Sequence, residues 1–367
     1  MKISSIEYLL LDKKFPFVLV HTDDNVTGIG ECFVSQPAVI KTVVEEILTP
    51  AIIGKDPVQT ESRFRDMVNA GESLEKGLTL NNTIGGAISI GMAGIDIALW
   101  DIKGKVLGLP IYDLLGGKVI EKVPLYASSI TREMTPIEEA KRAAYFVEEG
   151  YLAYKLHSAV PGKIDDPKDH TIATVKEVRN AVGDNIDILV DVNGAYSVHH
   201  SIEIGKQLED LGVFHFEEPR PHYDLDGLAH IADELTIPIA SGEMIFSLYD
   251  FRDLIVRGRV DIIQPDIIKV PGFTAMLKIS ALAEAFGIPI TCHNIHPTIS
   301  TIAHAHFVMA TAGAPYAQEY NIEHISIRDD YPILTEPLKI KNGFLEVPNA
   351  PGLGIELDMK MVRRLSK

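Results

Sequence analysis

Cysteine, tryptophan and positive charge are all scarce in this chain. Only Cys32 and Cys292 occur among 367 residues, which excludes a disulfide framework and a thiolate metal cluster. Lys and Arg number 34 against 51 Asp and Glu, a formal charge of −17. That balance argues against a nucleic-acid or anionic-membrane surface. It leaves an anionic small-molecule substrate open, because a bound cation reverses the local field. No apolar run is long enough to span a bilayer. No basic start, apolar core and cleavage site precede the strand-like KISSIEYLLL, so the expected location is the cytoplasm. Low-complexity segments are absent too. What is abundant is core-forming residue, 46% of the chain, and the length fits a barrel plus an accessory domain.

Six polar residues each follow an apolar run: Asp191, Glu217, Glu243, Asp266, His293 and Glu319. By subtraction they stand 26, 26, 23, 27 and 26 residues apart. One strand, one helix and two short loops take about that length, since parallel strands need a helical crossover. The spacing predicts six side chains at equivalent ends of successive parallel strands. In a closed β/α barrel those ends converge on the mouth that carries the active site.

Strand candidates are Val123 to Ser128, Ala153 to His157, Ile186 to Val192, Val213 to Glu217, Ile237 to Ser241, Asp261 to Gln264, Ile288 to Cys292 and Tyr316 to Glu319. Helical patterns separate them, for example Pro136 to Glu149, Thr171 to Val182, Val198 to Leu211 and Thr274 to Phe286. Before the barrel, Ile3 to Leu11, Phe17 to Thr22 and Val26 to Phe33 read as an antiparallel meander. Helices follow over Pro37 to Leu48 and Val58 to Val68, then a polar loop from Gly71 to Thr83 and the small-residue run GGAISIGMAGIDIALWDIKGK. The tail LKIKNGFLEVP, with its Asn342-Gly343 turn, is expected to pack back on the N-terminal domain. The fold class is a modified TIM barrel, (β/α)7β-like, with an α+β N-terminal capping domain completed by the C-terminal tail. Residues 1–120 form the cap, joined by 330–367, and 121–329 the barrel.

Asp191, Glu217 and Glu243 end three adjacent strands, and three converging carboxylates repel unless a cation lies between them. Oxygen-only ligation suits Mg2+; singly, such acids more often cap helices or pair with lysines. Asp266 and His293 end the next two strands, where a carboxylate beside an imidazole fixes its tautomer and raises its proton affinity. His296 competes for that place, but the phase of the repeat selects His293. Lys155 and His157 lie two apart on one strand face, where like charge is expected to lower both proton affinities and free a base. Asn193, two residues beyond Asp191, is placed to bind substrate or orient a ligand. Glu218 reads as a supporting acid. Glu319 either donates to a substrate carboxylate when protonated or binds a cation when ionised.

The motifs GIGE at Glu31, AGIDIALWDIKGKVLGLPIYDLLGG from Ala93, LVDVNGAY, FEEP, SGE, QPDIIKVPG, the strand-ending His293 and NAPGLGIELD together resemble the enolase superfamily, specifically its mandelate racemase-like group. The resemblance covers nearly the whole chain. It implies Mg2+ on Asp191, Glu217 and Glu243, an Asp266–His293 acid/base dyad, and Glu319 near the substrate carboxylate. It also implies a base on the second barrel strand. There the group's common Lys-x-Lys becomes Lys155-Leu156-His157, which leaves open which of the two takes the α-proton. Cap loops would select the substrate, here Lys13 to Phe17 and Gly71 to Thr83, with His21, Lys76 and Arg132 as contact candidates. The loop SAVPGKIDDPKDH is long enough to close over a substrate. Homo-oligomerisation is implied by resemblance alone.

The chemistry implied is abstraction of the proton α to a carboxylate, most directly dehydration of an acid sugar, aldonate or aldarate, to a 2-keto-3-deoxy acid. A racemase or epimerase of a 2-hydroxy acid is the nearest alternative, because the same residues serve it. A non-catalytic metal-binding barrel is the alternative of another class; loss of a ligand or of the dyad would signal it, and neither is lost.

Overall fold

β-Branched and aromatic residues fill the first apolar runs, and these form an antiparallel meander of β1 (Ile3–Leu11), β2 (Phe15–Thr22) and β3 (Thr27–Glu31). The computed structural model describes residues 1–74, 78–79, 86–160 and 162–366. The third strand is shorter than its apolar pattern: the Cys32 N–H still donates to Pro16 of β2, but Phe33 turns toward the barrel, where its N–H donates to the Ile268 carbonyl. Helical turns follow over 37–52, with a π-helical stretch at Val43–Leu48, and a helix spans Thr60–Glu72. Within the polar loop, Ser73–Leu74 pairs with Leu78–Thr79.

The small-residue run forms α1 (Gly86–Leu107), buried along most of its length. Its composition lets it lie directly on β3. A Cβ on Gly30 would fall 1.9 Å from the Gly94 carbonyl oxygen, and one on Gly28 2.0 Å from that of Ala98. Two acids in α1 then bind outward. Asp96 accepts from the Thr274 N–H (3.0 Å) and hydroxyl (2.7 Å) in the barrel. Asp101 accepts from the N–H groups of Ile29 in the cap and Leu353 in the tail.

The barrel strands are β4 (Val123–Ser128), β5 (Ala153–His157), β6 (Asp187–Asp191), β7 (His215–Glu217), β8 (Ile239–Ser241), β9 (Ile262–Ile263) and β10 (Gln318–Asn321). They pair in parallel in that order, and β10 returns to β4. The expected strand over Ile288 to Cys292 is reduced to a single bridge, Ile263 to Ile290. Toward β10 its backbone donors find side chains in place of a ladder. The Cys292 N–H donates to Gln318 and the Asn294 N–H to Glu319. Glu319 thus closes the barrel as well as facing its centre.

The tail departs from expectation. Its hairpin, β11 (Lys339–Lys341) and β12 (Phe344–Glu346), pairs antiparallel with β4 of the barrel, Leu345 opposite Val123. The hairpin continues a sheet edge that the N-terminal half of β4 leaves open. Residues beyond it reach the cap, where Leu365 accepts from the Asp12 N–H and Arg363 pairs with Glu7.

Candidate active site

Parallel register sets the acids side by side. His157 lies opposite Asp191, and Asp191 opposite Glu217. Glu243 follows Ser241 after Gly242, whose φ of 129° turns the chain inward where a side chain would be strained. One carboxylate oxygen from each of Asp191, Glu217 and Glu243 comes within 4.8 Å of the others, and all three residues are buried. Burial, with Asp191 and Glu217 close by, pushes the Glu243 carboxyl up to about 7. Asp191 is held low against the cost of burial by His157 and Lys155. Convergent buried oxygens in such mutual repulsion fit a hard divalent cation. Asn193, left-handed at φ 43°, holds Asp191 through its backbone N–H (2.8 Å) and its amide (3.2 Å).

Lys155 is 1% exposed, with Nζ 2.9 Å from Glu217, 2.8 Å from Glu319 and 3.7 Å from Asp191. His157 Nδ1 meets the Ser129 carbonyl at 2.6 Å. A carbonyl only accepts, so Nδ1 carries the proton and Nε2 faces Asp191 at 2.8 Å. The expectation that like charge lowers both proton affinities fails here. Burial opposes both charges, yet the carboxylates Glu217 and Glu319 around Lys155, and Asp191 beside His157, outweigh it and raise both. Glu319 accepts from Ser128 and Lys155 on one oxygen and from the Asn294 N–H on the other. Of the two expected partners, the contact present is the cation, the Lys155 ammonium at 2.8 Å.

On the far side of the triad, His293 Nδ1 lies 2.8 Å from Asp266 and Nε2 3.3 Å from Glu243. Here too a sequence expectation is corrected. Burial, then the charge of Lys269, keeps the His293 proton affinity well below its usual value, and burial lifts Asp266 to about 6. His296 is set apart from this chemistry. Its Nδ1 lies 2.8 Å from Glu31 of the cap, and its ring stacks on Phe33 at 5.2 Å. Glu31 also accepts from Thr298 and from the Ser300 N–H, so this acid ties the cap to the barrel.

Of the residues considered for substrate contact, Arg132 reaches the site and donates to Asn193. His21 does not; it sits on the outer meander beside Thr27 (2.9 Å) and Glu7 (3.8 Å). Lys76 lies outside the described residues. The loop after β5 is bound to the next loop, with the Asp165 N–H on Ala195 and the Ser197 N–H on Asp165. Glu218, read from the sequence as a supporting acid, stands beside Glu217 with a left-handed φ of 43° and an unpartnered buried oxygen that the sequence did not show. Lys269 escaped the sequence reading of roles, because it was visible only as an ordinary lysine three residues after Asp266.

Comparison with known proteins agrees with this geometry. The family model described as "Enolase C-terminal domain-like" matches residues 138–361, and that of the "Mandelate racemase / muconate lactonizing enzyme, N-terminal domain" matches 10–116. The chain belongs to the enolase superfamily, in its mandelate racemase-like group. Within this superfamily it is similar to the D-xylonate dehydratase of Haloferax volcanii, 30% identical over 98% of this chain and 88% of that protein. The arabinonate dehydratase of Saccharolobus solfataricus is 32% identical over 91% of this chain and 86% of that protein. Among solved structures, the 3,6-anhydro-D-galactonate cycloisomerase of Zobellia galactanivorans superposes with a TM-score of 0.88 at 29% identity, covering 100% of both chains. No helix among the described residues is long and apolar enough to cross a membrane.

Proposed function

We propose that this enolase-superfamily chain dehydrates an acid sugar to a 2-keto-3-deoxy acid, with Mg2+ held by Asp191, Glu217 and Glu243. One observation carries the reading: an imidazole stands at each end of the acidic triad, His157 on Asp191 and His293 on Glu243. Dehydration needs both a proton acceptor for C2 and a proton donor for the C3 hydroxyl. The relatives named as dehydratases of xylonate and arabinonate support the substrate class.

Bound Mg2+ would supply Lewis-acid stabilisation of the negative charge that builds on the substrate carboxylate. Lys155, held as a cation by Glu217 and Glu319, offers a fixed positive charge to the same developing charge. It is the poorer base of the pair, because Glu319, which is not a triad ligand, grips its ammonium directly and would do so with a cation in place. His157 is the base. Its proton affinity is raised by Asp191, a triad ligand whose charge a divalent cation would neutralise. With Asp191 so neutralised, His157 would keep Nδ1–H on the Ser129 carbonyl and present Nε2 as the acceptor. The Asp266–His293 pair is the acid: with Asp266 facing Nδ1, one proton added to the pair appears at Nε2–H, whichever residue carries the charge. His157 takes the C2 proton, the C3–O bond breaks, His293 protonates the departing hydroxyl, and water leaves. The enol then tautomerises to the ketone.

Proton NMR in D2O with Mg2+ and a panel of aldonates and aldarates tests this. A keto-deoxy product is expected. Deuterium exchange or inversion without product would replace dehydration by racemisation, and silence across the panel would overturn the substrate class.

A further inference from the structure

Lys155 and Lys269 are both 1% exposed, but only Lys155 has anions in contact. Among the described residues no carboxylate lies within 4.0 Å of Lys269 Nζ. Its neighbours are Met244 Sδ, at 3.6 Å, and the Phe33 ring, 4.2 Å to the centroid. A thioether is a weak acceptor and a ring face no acceptor of a strong hydrogen bond. A buried ammonium so placed retains unused donors, which burial makes unfavourable unless a partner arrives.

Those neighbours fix where the ammonium stands. Met244 adjoins the triad acid Glu243. Phe33 descends from the cap, and its ring lies 6.4 Å from that of His293. Of the charges acting on Glu243, Asp266 and His293, that of Lys269 is the largest. Lys269 therefore stands on the Glu243–His293 side of the mouth, under the cap, while Lys155 serves the Asp191–Glu217 side. A substrate whose carboxylate lies by Lys155 and whose C3 hydroxyl lies by His293 would extend its remaining carbons past His293 toward this second cation.

We propose that Lys269 is a substrate contact, its Nζ donating to an oxygen of the acid sugar beyond the two reacting carbons. This rests on the acid-sugar reading above. The oxygen belongs either to a distal hydroxyl or to a second carboxylate, and Phe33 and Met244 form the apolar walls that orient the donor.

Calorimetric binding of galactarate and galactonate in the presence of Mg2+, to the wild-type protein and to Lys269→Met, tests it without requiring turnover. Methionine retains most of the stem that packs on Phe33. At saturating Mg2+ the variant should bind the sugars about tenfold or more weakly, the size of a lost hydrogen bond to a charged group, with Lys269→Arg partly restored. Greater loss for galactarate identifies a second carboxylate; equal loss identifies a hydroxyl. With any turned-over substrate, KM should rise. Binding of both sugars to Lys269→Met within about twofold of wild type, failure of both to bind wild type, or a fall in kcat alone would overturn the contact. Tight binding without turnover would overturn the dehydratase reading while leaving the Lys269 comparison readable.

Discussion

At the scale of single residues, the proposed dehydration divides the site into groups that hold and groups that move protons. It assigns His293 to the second kind, since His293 meets the triad at Glu243, 3.3 Å away, and is not a member of it. His293→Asn should lower turnover by roughly 10²–10⁴-fold, the range of one general acid or base, while the Mg2+-induced rise in melting temperature persists. A variant with near wild-type turnover would remove His293 from the chemistry. The positions of these residues were legible because a strand-end residue is announced by the apolar run before it. Their proton affinities were not. Spacing shows Lys155 beside His157 but not that Glu217 and Glu319 embrace the lysine, and it shows Asp266 beside His293 but not how deeply both are buried.

At the scale of elements, α1 carries two roles that its sequence only half displays. Its Gly and Ala content announced close packing, and the contact of Gly94 with Gly30 shows how close. Gly30→Ala would place a methyl 1.9 Å from a backbone oxygen that cannot rotate away. Its loss of stability should reach or exceed the ~1–3 kcal/mol typical of overpacking, read as a lower urea midpoint with unchanged slope; an unchanged midpoint would show that sheet and helix can separate freely. The second role, Asp96 bolted to Thr274, was hidden because Asp96 reads as a polar residue in an otherwise apolar run. Burial lifts the Asp96 carboxyl to about 7 despite the Thr274 hydrogen bonds. Between its ordinary value and about 7 the native state holds this proton and the unfolded chain does not. Stability therefore falls as pH rises through that window and levels off above it, by at most roughly 4 kcal/mol. Asp96→Asn should flatten that slope even if the amide satisfies Thr274 less well, and chemical denaturation at pH 5 and pH 8 checks it; an equal slope in both proteins would refute the assignment. The β/α rhythm was legible because each crossover repeats one length. The hairpin of the tail was legible as a hairpin from Asn342-Gly343, but its partner was not, since nothing local in β11 or β12 says which open edge they meet.

At the scale of the whole molecule, the site is assembled from parts far apart in the chain, so anything that binds it stabilises the entire fold. Asp191, Glu217 and Glu243 come from three successive barrel strands, and Glu31 ties the cap across their mouth through His296, Thr298 and Ser300. A cation bound only by the native state adds about 2.7 kcal/mol at a hundred times its dissociation constant, which corresponds to a rise of a few degrees in melting temperature for a protein of this size. That rise should depend on pH in a definite direction. The Glu243 carboxyl, pushed by burial and by Asp191 and Glu217 up to about 7, keeps its proton in the native state below that value, and the cation must displace it. Above about 7 the carboxylate is ionised and the cation also relieves its repulsion with the other two acids. The Mg2+-induced shift should therefore be small near pH 6, grow toward pH 8 and then level off. Asp191→Asn should nearly abolish it at every pH, because one of the three converging oxygens is then an amide. Thermal unfolding at fixed Mg2+ across that pH range decides the matter: a shift that is equal at pH 6 and pH 8, or that survives in Asp191→Asn, would mean that the cation binds somewhere other than the triad.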